Sequence, residues 1–183
     1  MNPLYVVPLL VYTLAATLWP NQVDGRRRAR TLLMVEAVFV IAALVTGTLL
    51  ARLATPSAEG LWWGRVGLLA TGYLYVAGRG VVLIRSILEL PSLQMRRDED
   101  RTTGAIEVAR GRAVGALERA LTLTLILLGE YSAVGWIIAA KSLARFKQLE
   151  DREFAEYFLV GTLASFLLAV LVGQGIRILL RQG

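Results

Sequence analysis

The run AEYFLVGTLASFLLAVLVGQGIRILL, residues 155–180, decides the fold class. A helix needs roughly 20 apolar residues to cross a hydrocarbon core. This run exceeds that, and acidic or basic residues enter it only at Glu156 and Arg177. Its apolar residues fill the run rather than one stripe, the pattern of a helix surrounded by lipid and not of one half-facing water. Five other stretches repeat the pattern: 3–20, 31–54, 61–85, 113–130 and 131–146. With 56% of the 183 residues hydrophobic, little chain remains for anything else. The sequence therefore predicts an all-α, polytopic integral membrane bundle of about six transmembrane helices. The first run has no basic segment before it and no small-residue cleavage site followed by polar sequence, so it reads as a span and not as a removable signal.

Basic residues mark the cytoplasmic side of membrane proteins, and here they set the orientation. The loop DGRRRAR, with Arg26, Arg27, Arg28 and Arg30, belongs inside, which puts the N-terminus outside. The next loop, TPSAEG, has no Lys or Arg and falls outside, with Trp62 and Trp63 as interfacial aromatics at the start of the third run. Residues 86–112 return to the cytoplasm as a basic linker between two halves, 1–85 and 113–183, each with three runs. The opposite orientation of the halves is that of an inverted repeat, although no residue-level similarity accompanies it. Arg177 and Arg181 strain this topology, because they fall at an external C-terminus. The fourth and fifth runs are short, so 113–146 reads either as two crossings or as a shallow hairpin.

The net charge of +6 and the pI near 10.2 follow from these inner loops and do not call for a nucleic-acid partner. With no Cys and no His, the chain has no disulfide, no thiolate nucleophile and no imidazole base or ligand. No metal site or cofactor is expected. P-loop, HExxH and GxSxG motifs are absent, as are paired aspartates within a span. DGRRRAR superficially resembles the opening of the CDP-alcohol phosphotransferase motif, but its spacing is one residue off and the later aspartates are missing. A non-enzymatic protein is the expectation.

Helices in lipid gain nothing hydrophobic by associating, so they rely on small residues that let backbones approach. Gly161, Ser165, Ala169 and Gly173 form such a face at intervals of four. Gly60, Gly64, Gly67, Thr71 and Gly78 follow a three-four spacing in the third run. These two helices are expected at the centre. Charges inside the runs fall into one layer near the cytoplasmic face: Glu36, Arg79, Glu118, Lys141, Arg145 and Glu156. Their signs allow Glu36 to pair with Arg79, and Glu118 and Glu156 with Lys141 and Arg145. The last two cations repel each other at their i, i+4 spacing unless carboxylates intervene. Glu118 and Arg119 point about 100° apart on a helix, so one of them, taken as Glu118, is expected to join the layer. Such a layer is either an interhelical clasp or a binding or gating site for an ion or small anion.

The second half resembles a bacterial membrane family known only as a domain of unknown function. The resemblance lies in G-x-LER (Gly115, Leu117, Glu118, Arg119), in AAKS-x-x-RF (Ala139 to Phe146) and in AEYF-x-x-GT-x-x-S (Ala155 to Ser165), spread over about 70 residues. The first half departs from it, lacking the family's His-containing motif. The resemblance implies a bacterial inner-membrane location and places Glu118, Lys141, Arg145 and Glu156 within one signature, with no activity attached. Two functional expectations result. One is a structural or interaction subunit that forms a homo-oligomer or joins a membrane-protein partner. The other is a small channel or transporter, disfavoured because the sequence shows no broken helix of the kind transport sites use.

Overall fold

A computed structural model describes residues 6–18, 31–38, 41–42, 45, 58–88 and 105–182, and every described element is helical or a turn between helices. The helices are α1 (Val6–Leu18), α2 (31–38), α3 (Ala58–Leu74), α4 (Gly80–Leu88), α5 (Ala105–Leu128), α6 (Tyr131–Ala144) and α7 (Arg152–Gln182). A π turn, Tyr75–Arg79, joins α3 directly to α4, and a 3₁₀ turn, Phe146–Glu150, joins α6 to α7. Most of the loop and linker residues expected from the sequence (19–30, 89–104) lie outside the described residues, as does all of 46–57.

Two of these helices are long and apolar enough to cross a membrane: Trp62–Ile84, running through α3, the π turn and α4, and Arg152–Arg181. The expected six crossings are therefore visible only in part. α5 has the length, at 24 residues, but its first half is charged. α6 has 14 residues, about 21 Å at 1.5 Å per residue, short of a hydrocarbon core of about 30 Å.

The centre is built from α3, α5 and α7, where Leu68, Val76, Leu123, Ala169 and Ile176 form one buried cluster. The small face of α7 makes the close approach possible. Ala169 is fully buried and Ser165 nearly so, and a Cβ on Gly173 would meet Ile126 Cγ2 at 2.6 Å. Gly72 of α3 serves the same purpose, since a Cβ there would run into Ile176. In α3, Gly64 and Thr71 are buried and Gly67 half-buried, but Gly78 is exposed, a correction to the expected seam. The reason is the π turn. It fits one extra residue into the turn, rotates everything after it by about 100°, and so buries Arg79 and Gly80 where a regular helix would have turned Gly78 inward.

α5 ends in a Schellman turn: Glu130 N–H bonds to Leu125 O (2.9 Å) and Gly129 N–H to Ile126 O (3.1 Å). Gly129 takes the left-handed φ of 86° that this motif requires. Arg177 of α7 reaches this turn, donating to Ile126 O (3.2 Å) and to the Tyr131 hydroxyl. Its guanidinium lies 5.6 Å from the Tyr131 ring centre, and Gln174 donates to the same hydroxyl at 3.0 Å. A cation at a helix C-terminus is favourable, so Arg177 has a structural reason to sit at the end where the orientation rule disfavours it. At the opposite end Asp151 caps α7, its Oδ1 accepting from Glu153 N–H (2.9 Å) and Phe154 N–H (3.4 Å).

Candidate functional site

The interior of the bundle mixes polar and charged side chains with its apolar cluster, while large apolar side chains line its outer faces. Buried positions include Thr13, Glu36, Thr71, Arg79, Ser86, Arg119, Thr122, Thr162 and Ser165. Meanwhile Leu159, Leu163, Leu167, Leu171 and Ile178 run down the outer face of α7, each more than half exposed. Trp136 and Leu143 on α6 and Leu117, Leu121 and Leu128 on α5 are exposed as well. Several buried hydroxyls close on their own helix four residues back, as do Thr71 to Gly67 O (2.7 Å) and Thr122 to Glu118 O (2.8 Å), the usual solution where water is not at hand. Thr124 does the same to Ala120 O (3.0 Å), which leaves the Tyr73 hydroxyl to donate to Thr124 at 2.7 Å and tie α3 to α5.

Within this interior the charges occupy three stations. At the first, Arg79 Nε donates to both oxygens of Glu36, at 3.0 and 3.3 Å, and Nη1 donates to Ala16 O at 3.1 Å. The side chains are 7% and 5% exposed, so this is a buried pair that joins α1, α2 and the π turn. The hydroxyls of Tyr12 and Tyr75 approach the same carboxylate. Removing one partner from such a pair leaves an uncompensated buried charge, at a cost of about 3–5 kcal/mol.

The second station was not expected. Arg119 is 4% exposed and donates from Nε to Val76 O (2.7 Å) and from Nη2 to Ala77 O (3.0 Å). In a regular helix Val76 O would accept from the amide four residues on, that of Gly80. Here the Gly80 N–H goes to Tyr75 O instead, which frees Val76 O for Arg119. Gly80 also gives the guanidinium its room, because a Cβ there would stand 2.8 Å from Arg119 Nε. Arg119 therefore ties α5 to the π turn through two of its carbonyls. As expected, Glu118 and Arg119 diverge by about 100°: Glu118 turns to α6 and meets Lys141, while Arg119 turns away to the π turn.

At the third station Glu118 pairs with Lys141, partly buried at 18% and 22% exposure, and the ammonium lies 5.8 Å from the Phe158 ring centre. Arg145 and Glu156 do not join them. Arg145 is exposed, bonds to Gln148 (3.2 Å) and lies over the Phe154 ring. Glu156 bonds to Arg152 one turn earlier (3.0 Å) on the exposed face of α7. The i, i+4 partner is always within reach and brings less ordering cost than a contact across helices, so the local pair wins. Among the described residues no group of three or more acidic side chains that could hold a metal ion forms.

Comparison with protein-family models, with curated proteins and with solved structures found no match to this chain. The roles of these residues therefore rest on geometry. Sequence reasoning did not foresee the partners of Arg119 because nothing in the apolar run 61–85 announces a π turn, the feature that takes the Gly80 amide away from Val76 O.

Proposed function

We propose that the chain is a multi-pass protein of the bacterial inner membrane, with six membrane-inserted helices, α6 being the short one, and its N-terminus outside. It acts as a non-enzymatic structural or interaction subunit, as a homo-oligomer or with a membrane-protein partner. The observation that carries this reading is the distribution of polarity: arginines, a glutamate and hydroxyls share the interior with apolar side chains, and rows of leucine lie outside. Water would not tolerate so much exposed leucine on a monomer, whereas lipid demands it. The clasp role is supported by how the buried charges are engaged. Arg79 is held by a carboxylate and a carbonyl, Arg119 by two carbonyls, and Glu118 by Lys141.

A second reading, a small channel or transporter, is favoured by one observation: the π turn at Tyr75–Arg79 beside two buried arginines. Irregular backbone at membrane depth is often associated with transport pathways. Native mass spectrometry of the gently extracted protein together with liposome flux separates the two. The subunit reading predicts a stoichiometric partner or defined oligomer, with flux at background for wild type and Glu118→Gln. Flux well above background that Glu118→Gln alters without unfolding the protein would replace it with the transport reading.

A further inference from the structure

Arg119 carries more donors than its partners use. A guanidinium presents five N–H groups in a rigid plane, and the edge shared by Nε and Nη2 is spent on the carbonyls of Val76 and Ala77. The edge formed by Nη1 and the second Nη2 hydrogen meets no acceptor among the described residues. Among the described residues no carboxylate hydrogen-bonds to it: Glu36 is engaged by Arg79 and Glu118 by Lys141.

That edge points along α5 towards its start. Nη1 lies 3.3 Å from where a Cβ would stand on Gly115, and a Cβ on Gly111, one turn further, would have nothing within 4 Å. Among the described residues these side-chain-free positions leave a lane from the start of the helix to a guanidinium that is otherwise buried. Arg112 precedes Arg119 by seven residues and so shares its face. With Arg110 it is exposed near the entrance, where cations raise the local concentration of anions.

We infer that the Nη1–Nη2 edge of Arg119, reached past Gly111 and Gly115, binds one phosphate-class anion, either the phosphodiester of an anionic lipid headgroup or a free phosphate ion. A planar two-donor edge matches two oxygens of a phosphate, and glycine at 115 lets such a group come into contact. Arg119 lies six residues beyond the start of the apolar run at 113, about 9 Å, within reach of the headgroup layer. The lipid source rests on the membrane reading; the free ion does not.

The test uses the full chain. In neutral detergent it is titrated with inorganic phosphate and followed by thermal unfolding. In phosphatidylcholine nanodiscs with and without phosphatidylglycerol it is followed by native mass spectrometry of the retained lipid. Wild type should hold one anion per chain. Arg119→Lys removes the two-donor edge, and Gly115→Ala sets a methyl against Nη1 while favouring the helix, so it keeps the question open should Arg119→Lys fail to fold. Each should weaken binding about tenfold or more, the scale of a charge-assisted hydrogen bond. Retention of phosphatidylglycerol without a phosphate response identifies the lipid source, and a phosphate response without lipid preference the free ion. No binding in either arm, or undiminished binding by Gly115→Ala, overturns the inference.

Discussion

Glu36–Arg79 and Arg152–Glu156 are the same chemistry at the same length, an arginine Nε 3.0 Å from a glutamate oxygen. In the first pair the side chains are 5% and 7% exposed, in the second 92% and 56%. A pair in water exchanges solvation for contact at almost no gain. A buried pair has no such exchange open to it, and losing either partner leaves the other an uncompensated charge. Depth therefore decides which charges in this chain matter, and the variants that probe it fall in a definite order.

Glu36→Gln should have the largest effect, stranding Arg79 among α1, α2 and the π turn and costing about 3–5 kcal/mol. Chemical denaturation in mixed micelles measures it, and a loss below about 1 kcal/mol would mean that the pair is wet. Gly173→Leu comes next. With Ile126 already where a Cβ would be, overpacking should cost about 1–3 kcal/mol or separate α5 from α7, visible as a lower melting temperature and faster proteolysis. Glu118→Gln removes a partly buried partner of Lys141 and should cost about 1 kcal/mol, while Glu118→Gln with Lys141→Met should recover part of the loss in a double-mutant cycle. Glu156→Gln, last, should change stability by about 0.5 kcal/mol or less. If it ranked with Glu36→Gln, the contrast between the two salt bridges would be lost.

The sequence carried part of this contrast. Helical rise alone placed Glu36 level with Arg79, and Glu118 level with Lys141, and the structure joins both pairs. The small face of α7 was legible because Gly161, Ser165, Ala169 and Gly173 keep one spacing along an unbroken helix. What could not be read traces to the π turn. It breaks the periodicity on which the α3 seam was argued, so Gly78 faces out, and it frees the carbonyl that Arg119 uses. Glu156 departs from the expected layer for a different reason: Arg152, at i, i+4 spacing and plain in the sequence, holds it on the exposed face of α7, and depth along a helix says nothing of such a local partner.

The central claim is that the leucine face of α7 meets lipid while its small face meets protein. The chain has no cysteine, so single nitroxide labels can be introduced at Leu163, Leu167, Leu171 and Ala169 in reconstituted protein, and their collisions measured with oxygen and with a water-soluble nickel chelate. The account predicts strong oxygen and weak nickel broadening at the three leucine positions, and little of either at Ala169. Nickel access at Leu163, Leu167 and Leu171 equal to that of a water-exposed site would contradict it.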